Sequence, residues 1–222
     1  MLYISKLFLC FVMYSFVGWI LEVLYGIYKD KRIVNRGFLI GPLCPIYGFG
    51  GLLIYILLSK FADNGVAVFL MSCLICSILE YTASYVMEKI FHVRFWDYEY
   101  MKFNINGRIC LEMIIPFGVL GLFVVYMAFP YTFKLIELCP NTLIFIISAL
   151  LFILLITDFI ISIVLVSKFK KNGIKTSKDN TEEISKYVRT VLIRESKFTR
   201  RLVDTFPNFK LDKKYFMKKK KN

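Results

Sequence analysis

The stretch TLIFIISALLFILLITDFIISIVLVS, Thr142–Ser167, contains one charged residue, Asp158. A helix needs roughly 20 mostly apolar residues to cross the hydrocarbon layer of a bilayer. This run exceeds that length and lacks the short alternating segments of a barrel strand. Four further runs share its character: Leu2–Tyr28, Phe38–Ser59, Val66–Met87 and Ile109–Phe129. Backbone groups inside lipid must bond internally, so such runs are expected to be helices. The fold expected is therefore an all-α polytopic membrane helix bundle with five transmembrane helices. Composition agrees. The 222 residues are 58% hydrophobic, above the roughly 45–50% of soluble domains. That disfavours a soluble enzyme, a disulfide-stapled secreted domain and a disordered chain.

The net charge of +13 is localised. From Lys168 onward there are 18 basic and 6 acidic residues, against 11 and 10 in residues 1–167. Two regions follow: a transmembrane domain over 1–167 and a basic cytoplasmic tail over 168–222. Orientation is read from Lys and Arg in the short loops. The first loop carries Lys29, Lys31, Arg32 and Arg36, and the third carries Lys89, Arg94, Lys102 and Arg108. The second and fourth hold only Lys60 and Lys134. This alternation predicts an N-terminus outside and a multi-pass protein of the cell membrane with a cytoplasmic C-terminus. The first span is too long for a secretory leader and no small-x-small site follows it, so it is expected to be retained. Cys73 and Cys76 have CxxC spacing on an apolar helix. With no His or further Cys nearby they read as packing residues, and no metal site is expected.

Two stretches resemble each other in the order of their features. Glu22, Arg36, Pro45 and Gly48–Gly51 in the first hairpin correspond to Glu80, Arg108, Pro116 and Gly118–Gly121 in the second. Both hairpins would run the same way through the membrane, as two parallel two-helix repeats, with an insertion within Phe91–Asn104 in the second. Gly41-Pro42 and Pro45 are placed in the first turns of the second span.

Carboxylates in membrane helices are costly and by default face a protein interior or a wet cavity. Glu22 lies about two turns above the inner end of its span, and Glu80 is expected at matching depth. Arg36 and Arg108 are the natural partners of the two acids. Glu112 follows Arg108 by four residues, which predicts one shared helix face. Between these helices lies a polar-aromatic stretch with Glu88, His92, Arg94, Trp96, Asp97, Tyr98 and Asn106. Asn106-Gly107 reads as a turn entering the fourth helix. His92 with Asp97 five residues on could form a general base and its partner. Asp158 is expected to make a local hydrogen bond beside Thr157. The candidate substrate-binding set is Glu22, Arg36, Glu80, Glu88, His92, Trp96, Asp97, Asn106, Arg108 and Glu112. The other reading of the same set is a salt-bridge network that fixes helix register.

In the tail, Lys170–Asn180 reads as a linker. A basic amphipathic helix follows near 181–204, with Asn180 as N-cap, Glu183 at the capping-box position and Pro207 as its stop. Ile184, Tyr187, Val188, Val191, Phe198 and Leu202 recur at helical spacing, and Lys186, Arg189, Arg194, Lys197, Arg200 and Arg201 form the basic side. Such a helix is expected on the anionic inner leaflet, with partner docking second and nucleic acid last. Lys218–Lys221 adds a terminal basic run.

The strings Gly18-Trp19 with Glu22, Arg36-Gly37-Phe38-Leu39-Ile40-Gly41-Pro42, Pro45-Ile46-Tyr47-Gly48 and Leu79-Glu80-Tyr81 form one recognisable set. Glu88-Lys89-Ile90-Phe91-His92, Trp96-Asp97-Tyr98 and Asn104-Ile105-Asn106-Gly107-Arg108-Ile109-Cys110-Leu111-Glu112 complete it. Over about Phe11–Gly121 the chain resembles the ABC-transporter type IV family, the CmpB-like permeases of bacteria. It departs from the family pattern at Phe95, where a second aromatic, often Trp, is expected. The resemblance implies a transporter permease subunit and names no solute or catalytic residue. No GxxxxGK[ST] phosphate loop is present, so ATP hydrolysis would come from a separate ATPase subunit. Five spans favour a homodimer or such a partner. No cofactor is expected. The ligand would be a small solute or a lipid. The alternatives are a membrane-embedded enzyme or lipid-binding protein at the inner headgroup level, and a non-transporting membrane scaffold.

Overall fold

The computed structural model describes residues 1–31, 33–175, 181–206 and 209–211. Its long helices are α1 (Leu2–Asp30), α2 (Pro45–Leu58), α3 (Gly65–Phe91), α4 (Leu111–Phe123), α5 (Phe129–Glu137) and α6 (Asn141–Lys175). Two further helices follow, α7 (Thr181–Glu195) and α8 (Lys197–Thr205). Four two-residue strands complete the described elements: β1 (Val93–Arg94), β2 (Asn104–Ile105), β3 (Ile109–Cys110) and β4 (Lys210–Leu211).

Four helical stretches are long and apolar enough to cross a membrane: Leu2–Tyr28, Gly65–Phe91, Leu111–Glu137 and Asn141–Phe169. At 1.5 Å per residue, 27 residues reach about 40 Å, more than a hydrocarbon core requires. They turn most of their apolar surface outward, α6 the most, with 11% of its apolar window buried. Lipid is the solvent that suits such a surface. The third stretch joins α4 to α5 through one π-helical turn, Val124–Ala128. Pro130 accounts for that turn. It has no N–H for the carbonyl four residues back, and the wider turn absorbs the gap.

The second apolar run departs from expectation. Its helix begins at Pro45, and Pro45–Phe61 is a shorter apolar helix. Phe38–Cys44 is not helical, so Gly41 and Pro42 precede the helix rather than sit in its first turns. The cause is local. A residue before proline is pushed out of the α region, and Cys44 is extended at φ −114° and ψ 90°. Gly37, at φ 114°, turns the chain before it.

Small residues let the helices approach closely. A side-chain carbon on Gly48 would meet Phe11 and Ser15 of α1, and one on Gly51 would meet Tyr14. On α4, Gly118 faces Phe69 and Cys73 of α3, and Gly121 faces Ser72. Cys73 is thus a packing residue, and the cysteines are free thiols.

The segment after the last span folds back on the bundle. Helix α6 continues to Lys175, through part of the expected linker, and residues 176–180, with the expected cap Asn180, lie outside the described residues. The single expected helix near 181–204 is two, broken at Ser196, which caps α8 in a reciprocal box with Thr199. Ile184, Val188, Leu192 and Leu202 are buried against Phe91, Val93, Phe95, Val166 and Phe169. Much of the apolar stripe of the tail therefore packs on the protein itself, while Tyr187 and Phe198 stay exposed. Strand β4 pairs antiparallel with β1, Val93 opposite Leu211 and Arg94 opposite Lys210. Pro207 and Lys218–Lys221 lie outside the described residues.

Candidate functional site

The loops 33–44 and 92–110, the ends of α1, α3 and α6, and the tail helices meet at one end of the bundle, here called the basic end. Two polar clusters form there. The first spans α1, α2 and α3. Tyr47 on α2 donates its hydroxyl to Glu22 Oε1 at 2.8 Å. Arg36 Nη1 stands 3.9 Å from Glu22 Oε2, with its guanidinium 5.7 Å from the Tyr25 ring centroid. Glu80 on α3 accepts from the Tyr98 hydroxyl at 3.3 Å. Glu22, Tyr47 and Glu80 lie within electrostatic reach of one another. No cation forms an ion pair with Glu80 among the described residues.

Arg108, expected as the partner of Glu80, goes elsewhere. Its Nη2 lies 2.8 Å from Glu88 Oε2, its Nη1 donates to Ser84 at 3.2 Å, and it stacks over Tyr81 and Tyr85. It precedes α4, which begins at Leu111, so Arg108 and Glu112 share no helix face. Glu112 is exposed in the first turn of α4 and forms no ion pair with either cluster among the described residues.

The second cluster is a closed charge network. Arg94 reaches Glu88 at 3.2 Å, Glu99 at 3.1 Å and Asp97 at 3.6 Å. Lys210 pairs with Asp97 and with Glu99 at 3.2 Å. Burial opposes ionisation of Asp97, but the Lys210 hydrogen bond and its other partners outweigh it and hold the carboxyl below its ordinary range. The Asp97 hydrogen bond in turn holds Lys210 above the usual lysine value. Asp97 Oδ1 also accepts the Glu99 N–H at 3.1 Å, so its oxygens are taken by the network. His92 ends α3 in the left-handed region, φ 56°, its N–H returning to Glu88 O at 2.8 Å.

Trp96 Nε1 donates to Arg108 O at 3.3 Å, and Asn106 Nδ2 to the Tyr81 hydroxyl at 3.0 Å. Asn106 and Gly107, both at positive φ, make a turn as expected, but it joins β2 to β3 rather than entering α4 directly. Of the ten candidates, Glu22, Arg36 and Glu80 gather in the first cluster. Glu88, Asp97 and Arg108 join the second, with Trp96 and Asn106 tying its loop together.

Sequence reasoning missed the groups that hold loop 33–44. Asp158, on α6, accepts the Ile40 N–H and the Gly41 N–H, each at 2.9 Å. Asp158 also makes the expected local hydrogen bond, accepting from Ser162 one turn on at 3.2 Å, while Thr157 returns its hydroxyl to Ile153 O at 2.8 Å. Asp158 lies 11 residues before Phe169, about 16 Å along the helix. Irregular backbone at such depth persists only where its polar groups find partners. Arg201 on α8 supplies the other half, donating Nε to Asn35 O at 3.1 Å and Nη2 to Gly37 O at 3.1 Å and to Leu39 O. Thr205 adds a bond to Asn35 O at 2.9 Å. Trp19 donates to Asn35 Oδ1 at 2.6 Å, and Asn35 Nδ2 to Ile40 O at 2.8 Å. Asp158 was legible as the sole acid in its span. Arg201 carried no signal among the tail's many basic residues.

The sequence model of a family described as "Putative ABC-transporter type IV" matches residues 9–163. The chain belongs to this family. The match bears out the resemblance carried by the motifs and extends it beyond Gly121, through α5 and into α6 past Asp158. The ABC-transporter type IV match ends before α7 and α8, so Arg201 lies outside it. No curated protein and no solved structure matches the chain.

Proposed function

We propose that the chain is the permease-type subunit of a transporter, with a polar site open to the cytoplasm and ATP hydrolysis supplied by a separate chain. In this reading Pro45–Phe61, preceded by the clamped loop, is a fifth span. The N-terminus is outside and the basic end faces the cytoplasm, as the loop charges favour. The hairpins α1–α2 and α3–α4 are parallel repeats. Their matched glycine pairs on α2 and α4, each closing on the preceding long helix, support this.

One observation carries the site. Glu22 has Arg36 beside it, whereas Glu80 has a hydroxyl but no ion-paired cation among the described residues. A network built only to fix helix register would neutralise both acids. The first cluster is therefore assigned to a cationic group of the solute, and Glu88, Arg94, Asp97 and Arg108 to holding the loop and tail.

The test pairs the full chain, tagged and purified from its native host, with its E22Q and E80Q variants. ATPase activity that co-purifies with the wild type, and solute-dependent stimulation lost in E80Q while elution and Tm are kept, is the expected result. Wild-type protein with no associated ATPase, and an E80Q effect confined to Tm, would leave the scaffold reading in its place.

A further inference from the structure

Half of the basic tail residues whose side chains the structure describes are committed. Lys168 pairs with Glu195 at 2.6 Å, Lys210 with Asp97 and Glu99, and Arg189 stacks over Phe209. Arg201 is spent on three carbonyls, although its Nη1 keeps no hydrogen-bond acceptor among the described residues. Among the described residues Lys186, Arg194, Lys197 and Arg200 are uncommitted, and of these Lys197 and Arg200 line a common cleft. Both are exposed, and neither forms an ion pair among the described residues. They lie three apart on α8, hence on one face, and with Arg201 they line a cleft of about 240 Å³.

The cleft is also lined by Ile33, Val34 and Asn35, and Asp204 is its only acid among the described residues. Ile33–Asn35 follow directly on α1, just beyond the end of the Leu2–Tyr28 span. Ile33 is 82% exposed and Phe198, beside Lys197, 55%. Apolar side chains left in the open next to unpaired cations, where a span ends, match the boundary between acyl chains and headgroups. Asn35 offers little to a ligand, since its side chain already bonds Trp19 and the Ile40 carbonyl. The donors left for an occupant are cationic. Guanidinium and ammonium groups in convergent array recognise phosphate oxygens.

We propose that the cleft between α8 and loop 33–35 binds a phosphate ester, held by Lys197 and Arg200 against the wall formed by Arg201. The group is that of an anionic phospholipid headgroup or of a soluble phosphoester. This site is separate from the Glu22–Glu80 cluster and does not depend on the transport reading. It sits on the segment that clamps loop 33–44, so occupancy would brace α8 against that loop.

The test uses the full chain in nanodiscs and native mass spectrometry with phosphatidylglycerol against phosphatidylcholine. Wild type is expected to retain phosphatidylglycerol selectively. The double variant K197Q/R200Q should bind it about 30-fold more weakly, equivalent to about 2 kcal/mol for two basic residues, and K197R should restore most of the loss relative to K197Q. Both substituted side chains are exposed, and an unchanged Tm shows that α8 is still folded. Millimolar glycerol 3-phosphate separates the sources: displacement of the lipid assigns the site to a soluble phosphoester, and retention to the headgroup. Equal retention of the two lipids by wild type, or unchanged binding in the folded double variant, overturns the proposal.

Discussion

Replacing Arg201 with Met tests the clamp on loop 33–44. The guanidinium serves the carbonyls of Asn35, Gly37 and Leu39. Asn35 O keeps the Thr205 hydroxyl at 2.9 Å, so the variant strands two carbonyls, those of Gly37 and Leu39. Hydrogen bonds to charged groups contribute about 1.5–3 kcal/mol each, giving a gross loss of about 3–6 kcal/mol. Part of this is offset. Burial disfavours the charged guanidinium and holds its pKa below the usual arginine value, and Met removes that cost while keeping the aliphatic packing. A net local loss of about 2–4 kcal/mol remains, which corresponds to about 30- to 1000-fold faster opening. Amide hydrogen exchange reads it directly. Peptides covering 33–44 and 197–206 should lose protection together, while R194M, an exposed basic substitution, should leave both unchanged. Protection of 33–44 within about threefold of wild type in R201M would refute the clamp.

Asp158→Asn removes one of the two carboxylate oxygens that accept the Ile40 and Gly41 N–H groups and the charge behind both bonds, while Ser162 Oγ stays as a second acceptor for the Ile40 N–H at 3.2 Å, so a loss of about 1–2 kcal/mol is expected; an unchanged Tm in detergent would contradict the role given to it. Asp97 is held below its unfolded value, so its contribution is complete above the ordinary carboxylate range near 4 and is lost as pH falls through that range. Lys210 is held above its unfolded value, so its share is lost only as pH rises past about 10.5. Protease cleavage of the tail should therefore be constant across neutral pH and rise below about pH 4, and K210M should flatten the acid rise; half of the Lys210 side chain is exposed, so the effect stays near 1 kcal/mol or below. Gly107→Ala combines a φ of +66° with a side-chain carbon driven into the Asp97 carboxylate. A loss of about 2 kcal/mol or more in unfolding free energy is expected, and a wild-type denaturation midpoint would argue against the described turn.

The membrane helices were legible because length and apolar content alone set the criterion, and α1, α3 and α6 need nothing subtler. The start of α2 was harder. Phe38-Leu39-Ile40 is as apolar as any helix, and only Gly37, Pro42 and Pro45 hint that the backbone there is extended. The partner of Arg108 was misread for a different reason. The insertion between α3 and α4 folds into a closed loop that turns Arg108 toward the last turns of α3, where Glu88 is nearer than Glu80. Asp158 could be singled out as a costly acid with a local partner, which Ser162 supplies, but its distant partners are backbone N–H groups 117 and 118 residues earlier, which leave no trace in side-chain chemistry. The tail helix was anticipated from its periodicity, whereas the surface covering its apolar stripe was not, since a stripe does not say what it faces.

The clamp also sets an order of events during biogenesis. Leu39 and Arg201 are separated by 162 residues. At about 5–20 residues per second of translation, the first hairpin waits roughly 8–30 s for the guanidinium that satisfies its loop. Until then the nascent Gly37 and Leu39 carbonyls must be hydrated or held by the insertion machinery, so ribosomes stalled before and after codon 201 should yield hairpins of different protease sensitivity.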